Sequence, residues 1–366
     1  MDQPATFNLL DLDREALLQL LAARGDRPFR ATQLMKWVYH RQVTDYAAMS
    51  DLSKPFRAWL TEHARIDLPA VASDQRSHDG TRKWLFELAD GNCVETVYIP
   101  DGERGTLCVS SQVGCPVDCS FCATARQGFS RNLSCGEIVA QLWLARAALD
   151  AEGAGRLVTN VVLMGMGEPL LNFQAVVHAT NLMQDDLAFG LSKRRVTLST
   201  SGIVPAMDRL AEVSDISLAV SIHAPNDALR SELVPINRKY PLHEVVAAAK
   251  RYIGADRYRV VTFEYVLLAG INDRPEHARE LARVLRGVPA KVNLIPYNPV
   301  AGIHYRRPDE ATVDAFRQVL QAHGLVTITR KTRGEDIDAA CGQLVGKVQS
   351  RRRRDREATA VSGGEV

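Results

Sequence analysis

Between Thr106 and Arg330 one pattern recurs seven times: a short run rich in β-branched and apolar residues, in most cases followed by a helix-patterned stretch. The runs are TLCVSS (Thr106–Ser111), LVTNVVLM (Leu157–Met164), RVTLST (Arg195–Thr200), ISLAVSI (Ile216–Ile222), VVTFEYVLL (Val260–Leu268), KVNLIPY (Lys291–Tyr297) and LVTITR (Leu325–Arg330). Strands separated by helices cannot pair as hairpins, so the pattern predicts an α/β fold on a parallel sheet, closed or open. One intervening stretch, Ser134–Leu149, opens with Ser-x-x-Glu, which predicts a capping box. In a sheet of this kind the ligand-binding loops gather at the C-terminal ends of the strands.

Around this body the pattern changes. Asp13–Arg24, Arg30–Arg41 and Pro55–Ala64 carry helical apolar spacing, and Thr81–Pro100 reads as two strands joined at Asp90-Gly91. At 366 residues, 46% apolar and 24% charged, the chain has the composition of a globular protein. It holds no apolar run of about 18 residues, which argues against a membrane partner. An acid stands where a signal peptide would be basic, which predicts a cytoplasmic protein. Net charge is +2, yet Lys347–Arg356 alone holds six basic residues and one acid. That tail is either simply solvated or a contact for an anionic polymer.

Three of the seven cysteines stand in CPVDCSFC, as Cys115, Cys119 and Cys122, just after the first strand. Structural zinc takes four protein ligands, whereas a [4Fe–4S] cluster on three thiolates leaves one iron open. The C-x3-C-x2-C spacing resembles the radical S-adenosylmethionine (radical SAM) motif, with zinc and a plain electron-transfer cluster as the alternatives. The resemblance implies that SAM occupies the open iron and yields a 5′-deoxyadenosyl radical. GMGEP (Gly165–Pro169) follows the second strand: Gly167 allows close backbone approach to a ligand, and Glu168 could accept from the SAM ammonium. The alternative there is a plain strand-ending turn. Ser199, Ser221, Ile222, His223 and Asn298 fall at further strand ends, where helix caps are the alternative. Cys93 and Cys135 read as buried inert thiols.

Beyond the cluster motif, VETVYIP (Val94–Pro100), TLCVSSQVGCPVDCSFCATARQGFSRNL (Thr106–Leu133), GMGEPLLN (Gly165–Asn172), SIHAPND (Ser221–Asp227), NLIPYNP (Asn293–Pro299) and RGEDIDAACGQL (Arg333–Leu344) resemble the RlmN/Cfr family of RNA methyltransferases, and its RlmN branch most closely. The resemblance implies a partial, open (β/α)6 TIM-like radical SAM barrel with a small N-terminal helical accessory domain and a β-hairpin extension. The expected divisions are 1–75 for the helical, RNA-positioning domain, 76–104 for the hairpin, 105–335 for the radical SAM core, and 336–366 for a loop with Cys341 and the basic tail.

The resemblance also implies the chemistry: methylation of adenine carbon 2 in 23S rRNA and in tRNA beside the anticodon. Carbon 2 is electron-poor and cannot attack the SAM methyl itself, so a thiol must carry the group. By the resemblance that thiol is Cys341, which takes a methyl from a first SAM. A second SAM gives the radical that activates the S-methyl group for addition to carbon 2. Cys108 then attacks the Cys341 sulfur, forming a transient disulfide. Glu95 is assigned as proton acceptor, with Cys108 the alternative. One cluster per chain, two SAM per turnover, an electron-donor protein such as a flavodoxin system, and a monomer are expected. For phosphate contacts, the candidates are Arg82, Lys83, Arg126, Arg131, Lys193–Arg195 and the tail.

Overall fold

The computed structural model describes residues 6–153, 158–256 and 258–346. The basic tail from Lys347 lies outside the described residues. Ten strands form the main sheet: β1 (Ala70–Arg76), β2 (Arg82–Glu87), β3 (Cys93–Asp101), β4 (Arg104–Cys108), β5 (Asn160–Leu163), β6 (Val196–Thr200), β7 (Ser217–Ser221), β8 (Val261–Leu267), β9 (Ala290–Pro296) and β10 (Val326–Thr329). They lie side by side in sequence order from β1 to β10. From β4 to β10 every pairing is parallel, and from β1 to β4 every pairing is antiparallel. The sheet does not close: β1 and β10 are its free edges.

All seven expected runs are strands, and β10 is a seventh parallel strand beyond the six of the expected barrel. β1 was not expected. Its sequence, AVASDQR, lacks a clean apolar alternation because it is an edge strand exposed along nearly its whole length. It is held by pairing with β2, so the expected hairpin is a three-stranded antiparallel extension continuous with the barrel sheet.

The helical start comprises α1 (Arg14–Ala23), α2 (Phe29–Met35) and α3 (Lys54–His63). Asp13 caps α1 by accepting from the Ala16 N–H at 3.0 Å. The expected helix at 30–41 is present, but its last turn, Lys36–His40, widens to π-helical bonding, with Arg41 N–H donating to the Lys36 carbonyl. Leu17, Leu21, Leu34, Val38, Phe56 and Leu60 are buried and belong to the same continuous apolar core as the barrel. The dock is on α4 (Cys135–Asp150): Asp11 accepts from Gly136 N–H at 2.6 Å, and Trp143 Nε1 donates to Val38 O at 2.8 Å. A Cβ on Gly136 would lie 2.5 Å from Asn8 Nδ2, so a larger residue would have to displace the Asn8 side chain. Ser134 and Glu137 form the expected capping box of α4.

Five more helices complete the crossovers: α5 (Phe173–Gln184), α6 (Val204–Val213), α7 (Leu242–Ile253), α8 (Pro275–Val284) and α9 (Glu310–Ala322). Because β4 to β10 run parallel, Cys108, the Gly165–Pro169 turn, Thr200, Ser221, Leu267, Pro296 and Arg330 arrive at one rim. Among the described residues no helix is long and apolar enough to cross a membrane.

Candidate active site

The loop after β4 presents the three cysteines. Gly114 (φ +75°) opens it, and a Cβ there would sit 1.8 Å from the Gly128 carbonyl oxygen. Cys115 N–H donates to that oxygen at 3.0 Å, and Cys122 N–H donates to Cys119 O at 3.1 Å. Asp118 takes the left-handed conformation between them. The three thiols pack against Val117, Phe121, Leu233, Val266 and Tyr297. Burial holds the Cys115 thiol up to about 12 and raises Cys119 and Cys122 as well. Thiols so disposed lose their protons only to a positive centre that replaces them. Among the described residues no three His, Cys, Asp or Glu side chains converge on a single-ion site. Three thiols on one apolar loop are a donor set that could hold a [4Fe–4S] cluster and leave one iron open.

Cys119 and Cys122 line a cavity with Gly165, Gly167, Glu168, Ser199, Ser221 and His223. Five residues expected from the sequence to meet the cofactors, Gly167, Glu168, Ser199, Ser221 and His223, therefore share one cavity with two of the cysteines. Gly167 has φ +105°, and a Cβ there would lie 2.6 Å from Gln112 Cβ. Gly167→Ala is expected to cost on the order of 1–3 kcal/mol and to weaken SAM binding about tenfold or more, read by thermal melting and calorimetry. Glu168 is buried, accepting from Ser201 N–H at 2.6 Å and Leu170 N–H at 3.1 Å, and burial raises its pKa.

His223 is buried, left-handed (φ +55°), and stacked edge-on against Phe121 at 4.9 Å. Its Nδ1 accepts from Val266 N–H at 3.0 Å, which leaves the proton on Nε2. Burial, then the Arg230 charge, depresses its pKa to about 3. The unfolded chain therefore binds a proton below about pH 6.5 that the folded chain refuses until about pH 3. Stability should fall on acidification across that window and be fully present above it. His223→Asn, which tolerates the left-handed backbone, should flatten this part of the Tm-against-pH curve.

Two further residues expected at the cofactor, Ile222 and Asn298, do not line this cavity, and Asn298 lines the neighbouring one that holds Cys108. Ile222 is fully buried; its N–H donates to Glu264 O and its carbonyl accepts from Arg230 Nε, so it does not line the cavity. The amide of Asn298 is spent on Cys341 O at 3.2 Å and Thr332 Oγ1 at 3.1 Å. It holds the Cys341 loop instead of facing the cofactor cavity.

Among the lining residues not foreseen are Glu264, Tyr297 and Arg330. A signal existed for Glu264, an acid inside the apolar run VVTFEYVLL, and for Arg330, the last residue of LVTITR. Glu264 is buried, accepts from Asn293 Nδ2 at 2.9 and 3.1 Å, and has a raised pKa because of burial. The Tyr297 hydroxyl is buried and has no hydrogen-bond partner among the described residues.

Cys341 lines the same cavity and also lines a second, more polar one with Cys108 and Arg330. Arg330 is thus common to both. The Cys341 charge is the largest influence raising its pKa, and Cys108 adds to it. Burial pushes the Cys108 thiol up to about 12, against the pull of Arg330. Both cysteines are free thiols. Backbone contacts set the loop: Ala123 N–H donates to Gly342 O and Thr124 Oγ1 to Leu344 O, each at 2.8 Å. Glu95 is buried but lines neither Cys341 cavity; it pairs with Lys83 at 3.1 Å and accepts from Val345 N–H at 2.8 Å. Its pKa is raised, by burial first. Cys93 and Cys135 are buried.

Most of the expected phosphate contacts are spent inside the protein. Arg82 pairs with Asp74 and Glu152, Lys83 with Glu95, Arg131 with Asp90 and Glu137, and Lys193 with Asp215. Arg82 and Lys83 point from the buried positions of β2, which a linear charge count cannot show. Arg126 donates to the Gly302 carbonyl and Arg195 to Asn160 at 3.1 Å, while Arg194 is exposed. Lys331 and Arg333, not foreseen, rim the Cys108 cavity.

Comparison with known proteins agrees along nearly the whole chain. Residues 7–66 match the family model "Ribosomal RNA large subunit methyltransferase N-terminal domain", and residues 109–282 match the radical SAM superfamily. The chain is 58% identical over 348 residues to a dual-specificity RNA methyltransferase RlmN of Alkalilimnicola ehrlichii, covering 95% of this chain and 96% of that protein. It is 54% identical over 357 residues to the protein of the same name from Marinobacter nauticus, covering 97% and 96%. The crystal structure of a radical SAM methyltransferase from Sphaerobacter thermophilus superposes with a TM-score of 0.85 at 46% identity, covering 93% of this chain and 99% of that one. The chain belongs to the RlmN family of radical SAM methyltransferases.

Proposed function

We infer that the protein methylates carbon 2 of adenosine in 23S rRNA and in tRNA beside the anticodon, with Cys341 as methyl carrier. The observation that carries this is the position of Cys341, which lines both the cavity of Cys119 and Cys122 and the cavity of Cys108. The first fits the cofactors, with Cys115, Cys119 and Cys122 as cluster ligands and Gly167, Glu168, Ser199, Ser221 and His223 around SAM. When bound, one [4Fe–4S] cluster and two SAM per turnover supply the methyl group and the 5′-deoxyadenosyl radical that takes a hydrogen from it.

The chain's own residues do the rest. Cys341 holds the methyl carbon as a thioether between the two cavities. The Arg330 cation opposes the burial that holds the proton on Cys108, the thiol that must act as nucleophile. The second cavity has apolar walls at Val97 and Ile99 and basic side chains at Lys331 and Arg333, which suits a flipped-out adenine with phosphates at the rim. Once the carbon is joined to the base and the adduct has given up the carbon-2 proton and one electron, which the cluster, when bound, would take back, the Cys108 thiolate attacks the Cys341 sulfur; the carbon–sulfur electron pair leaves with the methylene carbon, which takes up a proton and departs as the methyl group of the RNA. The resulting disulfide is reset by a reductant. For the carbon-2 proton, Cys108 shares the cavity with Cys341, whereas Glu95 would have to give up Val345 first.

The enzyme works in this reading as a cytoplasmic monomer fed by an electron-donor protein such as flavodoxin. The test is anaerobic turnover with labelled SAM and RNA, followed by nucleoside mass spectrometry. Label should pass through Cys341 into 2-methyladenosine. A product of 8-methyladenosine would make the protein a Cfr-like enzyme, and label that bypasses Cys341 would overturn the reading.

A further inference from the structure

We propose that Lys83 is a positioning residue for Cys341: with Glu95 it forms a buried clasp that holds both limbs of the Cys341 loop. The inference rests on the reading of Cys341 as methyl carrier. On adjacent antiparallel strands, Lys83 lies opposite Val97 and Leu85 opposite Glu95, so Lys83 and Glu95 are diagonal neighbours on one face. Their side chains are 9% and 8% exposed and meet at 3.1 Å. Each then takes one limb of the loop. Lys83 Nζ donates to Asp338 O at 3.2 Å, on the limb leading to Cys341. Glu95 Oε2 accepts from Val345 N–H at 2.8 Å, on the limb leaving it.

A buried ion pair by itself stabilises little, because desolvation cancels much of the attraction. Here the remaining donor and acceptor capacity of the pair goes to the backbone of a single loop. Further anchors of that segment come from the same extension, beside those that Ala123, Thr124 and Asn298 supply from the barrel: Asp336 accepts from Ser77 Oγ at 2.5 Å and His78 N–H at 3.2 Å, and Gly334 N–H donates to Asp79 at 3.1 Å. The antiparallel extension thus grips the carrier loop from outside the barrel, and Lys83 joins its two limbs electrostatically.

The test uses the reconstituted full-length enzyme as wild type, Lys83→Met, Lys83→Arg, and the double variant K83M/E95Q, which leaves no unpaired buried charge. Three quantities are read: hydrogen exchange of the 338–346 segment, the fraction of Cys341 carrying an S-methyl group, and the split between kcat and KM for RNA. Lys83→Met should speed exchange at Val345 about tenfold or more and cut Cys341 methylation and kcat by about tenfold, with iron content and KM nearly unchanged. Lys83→Arg should recover most of both. Should Lys83→Met fail to fold, the double variant gives the same exchange and S-methylation readings. Wild-type exchange and S-methylation in a folded charge-free variant would overturn the clasp, and so would loss of fold in both variants, which would assign the pair to the sheet instead of the loop. Absence of S-methyl-Cys341 in the wild type would instead sink the functional reading, a different outcome from an unchanged loop.

Discussion

Cys341→Ala abolishes RNA methylation, by about a thousandfold or more, while the purified protein keeps its full complement of cluster iron. The two halves of this expectation come from different parts of the structure. Cys115, Cys119 and Cys122 are placed by their own loop, through Gly114, Asp118 and the Cys115–Gly128 and Cys122–Cys119 hydrogen bonds. None of these involves the Cys341 side chain, and the Cys341 loop touches that region by main-chain contacts such as Ala123 N–H to Gly342 O. Alanine keeps those contacts and removes only the sulfur. The measurement is 2-methyladenosine formed per enzyme beside iron content and the visible absorbance of the cluster. Turnover that survives in the alanine variant would reassign the enzyme to a radical SAM reaction with no carrier thiol.

Cys108→Ala stops the reaction one bond later. Its thiol lines the Cys341 cavity at the end of β4, where burial raises its pKa and the Arg330 cation works against that rise. Without it the carbon–sulfur bond to Cys341 has no nucleophile to break it. The variant should accumulate a covalent protein–RNA species, seen as an RNase-sensitive band on a denaturing gel, with free methylated RNA reduced about a hundredfold or more. Cys341→Ala should show no such band, and the double variant should behave like Cys341→Ala. Release of free product at the wild-type rate from Cys108→Ala would remove the disulfide step from the mechanism.

Linear patterning exposed the barrel because its strands read as runs of β-branched and apolar residues, the central ones buried on both sides and β10, at the edge, still carrying Val326 and Ile328 on its exposed side. All seven such runs are strands, and the Ser134–Glu137 capping box is present. The edge strand β1 escaped because an exposed edge has no apolar face to write into the sequence. The cysteine triplet, the glycine turn and the strand-end serines were legible because each falls at a fixed distance from a strand end. Glu264 and Arg330 carried weak signals as charges within or beside apolar runs, but nothing in a one-dimensional reading told them from solvent-facing positions. The ion pairs of Arg82, Lys83 and Arg131, candidates for phosphate contacts, were not legible for the same reason: their partners Asp74, Glu95, Asp90 and Glu137 become neighbours only through strand register and packing.

The sequence by itself determined the family, the parallel α/β body and the identity of the sulfur groups, because spacing along a strand–loop–helix unit is a local property that a chain carries wherever it folds. Only the tertiary structure decided that Cys341, more than 200 residues beyond the cluster loop, lines a cavity with Cys119 and Cys122. It also decided that Ile222 and Asn298 are turned to other partners, and that Lys83 and Glu95 close on the two limbs of one loop. Those relations depend on the register of β2 with β3 and on where the segment after β10 returns, and distances across a sheet are not encoded in distances along the chain.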